Sequence, residues 1–419
     1  MSHLAPDLCR FVDSSPTPFH VVDTVVRTLA TAGFVELRES DGWPAEPGAY
    51  VVRRGGSVVA WRTGPEHQPA TGFRVVGGHT DSPNLRLKQH HDSRRADVPV
   101  LALEPYGGPI LTSWFDRDLI VAGRLVTRDG SEHLVRTADP VVRVPHLAIH
   151  LDRDQSAPDK QRHVDGLWTL ETTAFLPWLV ASAGLSADDV VGFDLMTADA
   201  QPSALVGADG EFVAAPRLDN QATCFAGLRA LLDAGVSTHG QMLALFDHEE
   251  VGSTSERGAQ SDLLATVLER IVLAAGGGRE DYHRMIAASV CASGDMAHAT
   301  HPNHADRHEP LHRIALGGGP VLKVNQNLRY ATDGRGTAVF ARACEQAGVP
   351  LQRYVHRADL PCGSTIGPLS AARTGMLTVD VGAPQLAMHS VRETMAAADV
   401  DLYARALESF LSGTSPNLT

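Results

Sequence analysis

The residues best suited to chemistry are acids and histidines that stand where apolar runs end. Asp247-His-Glu-Glu-Val-Gly-Ser253 follows Met242-Leu-Ala-Leu-Phe246, a short apolar run of the kind that forms a buried strand. Two adjacent carboxylates at such a strand end are costly to desolvate unless something positive lies beside them. A cation meets that need, and the neighbouring acids can then divide labour, one ligating metal and the other moving protons. Four further clusters share this placement. His79-Thr-Asp81 follows the run 73–78, and Asp219 follows the run 211–217 and precedes a helical stretch. Asp295 follows the run 287–291 and Ser293-Gly294, while His389 lies shortly after the run 377–381. In open α/β sheets, sites form where the chain leaves the carboxyl ends of strands.

Residues i and i+2 of an extended segment share a face, so Asp81 could hold the second ring nitrogen of His79 and fix its tautomer. Imidazole and carboxylate ligands suit zinc, cobalt or manganese better than magnesium or calcium. An oxygen-rich set with two histidines suits a pair of ions about 3.5–4 Å apart, bridged by one carboxylate. Taken singly, each cluster also has an ordinary reading: a satisfied core histidine at 79, a helix cap at Asp219, a turn acid at Asp295, a solvated loop at Glu249-Glu250. Ordinary readings at all five together are much less probable than at any one. His298, His301, His304, His308 and His312 are dense, but Pro302 and the turn residues around it break any helical face, and they read as loop.

The elements that must position these groups alternate between helical and strand-like periodicity. Thr17-Pro18 opens a helix as cap and first residue, Phe19, Val22, Val25, Val26 and Leu29 recur at helical spacing, and Gly33 ends it. Tyr50-Val-Val and Ser57-Val-Val-Ala-Trp61 flank Arg53-Arg-Gly-Gly56 as a hairpin. From about residue 92 to 205 the texture changes to short β-like runs and turns, with one helical candidate over 167–183 that Pro177 should break or kink. This stretch reads as an insert, because the clusters before and after it belong together. It divides the chain into a catalytic domain of residues 1–91 and 206–419 and an inserted β-rich domain of residues 92–205. Helical and strand-like runs then alternate to a final amphipathic helix over 394–411, which implies an α/β sheet layered by helices. Residues 413–417 read as a frayed end.

The 419 residues suffice for two or three domains, and 43% hydrophobic with 20% charged residues is globular in character. With 36 basic against 49 acidic residues the net charge is −13, which argues against nucleic acid or an anionic membrane as main partner. Cys9, Cys224, Cys291, Cys344 and Cys362 are odd in number and scattered, so a reducing, cytoplasmic setting is expected rather than a disulfide framework. No signal-like leader and no apolar run long enough to span a bilayer is evident.

Gly78-His-Thr-Asp-Ser-Pro-Asn-Leu-Arg-Leu-Lys88, Pro216-Arg-Leu-Asp-Asn220, Asp247-His-Glu-Glu-Val-Gly-Ser253, Asp295-Met-Ala-His-Ala-Thr-His-Pro-Asn303 and Met388-His-Ser-Val-Arg-Glu393 resemble the M18 metallopeptidases, the aspartyl aminopeptidases. Tyr106-Gly-Gly, Trp114-Phe-Asp-Arg-Asp118, Pro145-His-Leu-Ala-Ile-His150, Lys323-Val-Asn and Arg329-Tyr-Ala are similar to that family too, so the resemblance spans nearly the whole chain. It implies a mixed-sheet α/β zinc-peptidase domain with an inserted β-rich dimerisation domain. It assigns His79 and Asp295 to one zinc, Glu250 and His389 to the other, and Asp219 to a bridge between them. Glu249 becomes the general base and Asp81 the acid that orients His79. Lys323 would face the acidic first side chain of a substrate, and His146 would reach a neighbouring subunit's site, with His150 a nearby competitor.

The expected activity is removal of an N-terminal Asp or Glu from peptides by two Zn2+ ions per subunit, Co2+ or Mn2+ being substitutes. The expected assembly is a homo-oligomer, a tetrahedral dodecamer. Gly294 stands where the family commonly has another small residue, and the insert is shorter than in larger members. Rival readings are a broad-specificity dinuclear aminopeptidase, an amidohydrolase acting on acylated amino acids, and a catalytically silent assembly protein.

Overall fold

A computed structural model describes residues 2–154, 156–235 and 237–413; the expected frayed end falls, beyond Gly413, outside them. The chain is a mixed α/β protein, and the described residues form three sheets. The largest has nine strands, in the order Val35–Glu36, Ala49–Arg54, Ser57–Arg62, Gly240–Phe246, Phe73–His79, Val290–Gly294, Leu377–Gly382, Val321–Val324 and Gln352–Val355. Its four middle strands, from Gly240–Phe246 to Leu377–Gly382, run parallel. Gly240–Phe246 and Phe73–His79 are buried at every position, Gln241, Arg74 and His79 included, because helices cover both faces of the sheet.

One face is covered by the helices Ala5–Ser14, Pro18–Thr31, Leu218–Asp233, Gly334–Ala347 and Ala397–Ser412, and the other by Leu263–Ala274, Arg279–Ala287 and Ile366–Thr374. Thr17 caps Pro18–Thr31, its side chain accepting from His20 N at 3.4 Å. Several expected boundaries move. The candidate helix over 167–183 is only Phe175–Ser182, which places Pro177 in the first turn, where its missing N–H costs nothing. Residues 394–396 belong to the strand Glu393–Ala396, which pairs with Phe212–Ala215, so the last helix starts at Ala397. Arg279–Ala287 is a helix that the polar sequence there does not announce.

The six-stranded sheet runs from Glu132–Arg136 through Leu119–Thr127, Val190–Asp199, Asn84–Arg95 and Val98–Tyr106 to Gly166–Leu167. Its strand Asn84–Arg95 starts upstream of residue 92, directly after the cluster at His79–Asp81, with Leu85 and Leu87 buried. Ala204–Val206 belongs to the five-stranded sheet beside Phe212–Ala215 and Glu393–Ala396. Among the described residues no helix is long and apolar enough to cross a membrane.

Candidate active site

The parallel order of the middle strands brings the clusters to one edge. His79 ends Phe73–His79, Glu249 and Glu250 follow Gly240–Phe246, and Asp295 follows Val290–Gly294. Asp219 sits in the first turn of Leu218–Asp233, entered through Arg217 in the left-handed region at φ 55°. His389, also left-handed at φ 69°, lies on the loop between Pro384–Leu386 and Glu393–Ala396.

His79 Nε2 is 3.3 Å from Asp219 Oδ1 and 3.9 Å from Asp295 Oδ2. His389 Nε2 is 3.5 Å from Asp219 Oδ2 and 3.4 Å from Glu250 Oε2. Asp219 thus faces both histidines, one with each oxygen. Ligand-capable atoms of His79, Glu249 and Asp295 lie within 4.8 Å of one another, and so do those of His79, Asp219 and Glu250. Among the described residues no other group of three or more histidines, cysteines or acids is so gathered, the dense histidines after Asp295 included.

This much buried carboxylate strains against its own charge. Burial, the largest influence, pushes Glu249 up to about 8 and Glu250 well above the usual range. Burial would also raise Asp219, but the neighbouring His389 and His79 rings outweigh it and its carboxyl is held low. His389 is desolvated, yet Asp219 and Glu250 raise it to about 10. Asp219 Oδ1 and Glu250 Oε1 are buried and have no hydrogen-bond partner. Gathered with the two histidines and the neighbouring acids, these two fit metal ligation, and the imidazole–carboxylate donor set suits zinc.

Asp81 is fully buried, but the nearer partner of His79 Nδ1 is its backbone carbonyl, at 2.9 Å, against 3.5 Å for its carboxylate. The carboxylate instead accepts from Glu249 N at 3.0 Å, Glu250 N at 3.1 Å and the Tyr106 hydroxyl at 2.7 Å. Asp81 therefore fixes the backbone of both adjacent acids. Lys323 is brought to the site, buried, with Nζ donating to Asp295 Oδ1 at 3.1 Å and Met296 O at 3.2 Å. His146 is not part of the cluster: it is exposed, its Nδ1 2.7 Å from Asp116 Oδ2 and its ring against Phe115. His150 is exposed as well.

Glu393 is a residue whose role the sequence left unread. Buried, and pushed up to about 8 chiefly by burial and then by the Asp219 charge, it accepts from Asp219 N at 2.8 Å and His389 N at 2.6 Å. Its spacing of four residues from His389 was the available signal. Gly294 has a steric reason: a Cβ there would meet Thr223 Cγ2 at 2.4 Å and Gly77 O at 2.9 Å.

A parallel-sheet edge that gathers two histidines and several buried acids defines a metallohydrolase of the α/β class. Comparison with known proteins narrows this. The family described as "Aminopeptidase I zinc metalloprotease (M18)" matches residues 11–411. A "Probable M18 family aminopeptidase 2" of Mycobacterium bovis (strain BCG / Pasteur 1173P2) is 58% identical, the match covering 98% of this chain and 99% of that one. The fold matches the structure described as that of "the Ape4 and Nbr1 complex" with a TM-score of 0.93 at 36% identity, covering 97% of this chain and 85% of that one. It matches the S. cerevisiae mApe1 dodecamer with a TM-score of 0.86 at 28% identity, covering 98% and 97%. The chain belongs to the M18 family of zinc metallopeptidases; it is a metal-dependent aminopeptidase.

Proposed function

We propose that this aminopeptidase removes N-terminal Asp or Glu from peptides, using two Zn2+ ions held by His79, Asp219, Glu250, Asp295 and His389. The observation that carries the dinuclear reading is Asp219, whose two oxygens face His79 and His389 separately. A carboxylate so placed is suited to bridge two ions, with Asp295 beside His79 and Glu250 beside His389. Bound zinc supplies Lewis acidity, which polarises a scissile carbonyl and eases deprotonation of water. Co2+ or Mn2+ would satisfy the same donors.

Glu249 is the proposed general base. Its carboxylate lies against His79 and Asp295 while its backbone N–H is tied to Asp81. It takes a proton from the attacking water as the C–O bond forms and returns it to the amine nitrogen as the C–N bond breaks. Asp81 acts by holding the Glu249-Glu250 backbone and, through its carbonyl, the Nδ1 proton of His79.

Lys323 supports the acidic preference as a buried ammonium beside Asp295; on this reading it shares its charge between Asp295 and the substrate's first carboxylate. The exposed apolar side chains Leu147, Ile149, Leu151, Leu170 and Trp178 support self-assembly through the insert. A tetrahedral dodecamer is proposed on the mApe1 relative, with His146 completing a neighbour's site. Five free cysteines suit the cytoplasm. The test is zinc analysis combined with a panel of N-terminal residues, with and without chelator. Two zinc ions per chain and preferential, chelator-sensitive cleavage after Asp and Glu are expected. Comparable turnover of Leu- and Asp-amides would refute the acidic preference and favour a broad-specificity enzyme.

A further inference from the structure

We propose that Tyr106-Gly107-Gly108, where the six-stranded sheet meets the site, is a clasp that positions both zinc-facing histidines, Tyr106 through Asp81 and Gly108 through its carbonyl. This rests on the reading of His79 and His389 as metal ligands, and gives the insert a second task besides self-assembly. Tyr106 ends the strand Val98–Tyr106 and pairs in register with Asn84, three residues beyond Asp81. Its hydroxyl donates to Asp81 Oδ2 at 2.7 Å, a charge-assisted bond between buried groups. The Arg86 guanidinium lies over the Tyr106 ring, 3.5 Å from its centroid, and pins the ring in place. Asp81 in turn reaches His79 through its carbonyl, so the hydroxyl sets the segment against which His79 is registered.

At the other histidine the contact is direct. His389 Nδ1 is 3.1 Å from Gly108 O. A carbonyl only accepts, so an Nδ1 proton is held there and Nε2 is the ring nitrogen turned to Asp219 and Glu250. The same stretch holds the His389 loop twice more: Ile110 N donates to His389 O at 2.9 Å, and Val391 N donates to Ser113 Oγ at 2.9 Å. Gly107 makes the close approach possible. Its φ is +71°, and a Cβ there would stand 3.1 Å from Glu250 Cβ.

The test uses the full-length protein and zinc alone as probe, with affinity read by competition against a chelating dye and Tm read with and without zinc. Tyr106→Phe keeps the ring and removes the hydroxyl. Gly107→Ala crowds Glu250 from the same segment and serves if Tyr106→Phe does not fold. Loss of an outer hydrogen-bond partner typically weakens metal binding about 10–100-fold; that loss, with a smaller zinc-induced rise in Tm, is expected for Tyr106→Phe, and Gly107→Ala, which displaces the segment against Glu250 without removing a hydrogen bond, should also bind zinc more weakly than wild type. A merely structural tyrosine would lower Tm equally with and without zinc and leave zinc affinity unchanged. Wild-type zinc affinity in either variant that folds overturns the clasp. If wild-type protein binds no zinc, or His79→Ala binds it normally, the ligand reading fails and the clasp falls with it. Wild-type binding, loss in His79→Ala and unchanged affinity in Tyr106→Phe would refute the clasp alone.

Discussion

Replacing Glu249 by Gln separates the two adjacent acids most sharply. The amide matches the carboxyl in size, and the Glu249 backbone N–H to Asp81 is untouched. Burial chiefly holds Glu249 at about 8 in the metal-free protein, so the acid is already largely neutral there and the neutral amide should fold normally. None of His79, Asp219, Glu250, Asp295 and His389 is altered, and zinc content should stay near that of wild type. What disappears is the proton carrier. General acid–base groups typically contribute about 10²–10⁴-fold in rate, or about 2.7–5.4 kcal/mol at 1.36 kcal/mol per decade. The assay is kcat on an Asp-amide beside zinc analysis of the same sample, with Glu250→Gln in parallel. Glu250→Gln should lose zinc, because its Oε2 faces His389 and its Oε1 has no other partner. Turnover within tenfold of wild type in Glu249→Gln would refute its role as base. Loss of zinc there would make Glu249 a ligand, which its position within 4.8 Å of His79 and Asp295 atoms would then explain.

Lys323→Ala should raise KM for N-terminal Asp by roughly 10–150-fold, the equivalent of about 1.5–3 kcal/mol for a hydrogen bond to a charged group, and for Leu far less; equal effects would reject its assignment. The variant also leaves Asp295 without its buried cation, so a lower Tm of the metal-free protein is expected. Arg392→Met removes donors to Asp199 Oδ2, Gln201 O, Pro202 O and Ala214 O, which tie the end of the six-stranded sheet to the His389 loop. A loss of roughly 2–4 kcal/mol is expected, read as a fall in Tm; an unchanged Tm would mean that this junction is held elsewhere. Burial, the first cause in each, pushes His20, His67 and His239 down to about 4. The unfolded chain then takes up protons that the folded one does not, so this stability is complete above about pH 6.5 and is lost as pH falls toward about 4. Glu249 and Glu393, pushed up to about 8 chiefly by burial, work in the opposite sense over the same range, so the comparison is with a variant: the urea midpoint of metal-free His67→Phe should fall less than that of wild type between about pH 6.5 and 4, and parallel profiles would contradict the burial of that ring.

The sequence by itself determined the central strands, the cap at Thr17 and the candidate chemistry. The run 242–246 is continuously apolar, and 73–78 is so apart from Arg74, because both faces of a central parallel sheet are covered, and that pattern is local. So are the cap at Thr17 and the placing of His79, Glu249-Glu250 and Asp295 just after strand ends. Pro177 marked a disturbance correctly but not its sense, since a proline in a first turn and one that breaks a helix look alike until the helix start is known. Only the tertiary structure decided that Lys323 is paired with Asp295, that Glu393 joins the backbones of Asp219 and His389, and that Tyr106 reaches Asp81. Each of these contacts depends on which strands become neighbours and on which edge their ends share. Local periodicity says whether a segment is a strand; strand order is fixed by how the whole set of apolar faces is buried at once, and distant residues meet only when that problem has been solved.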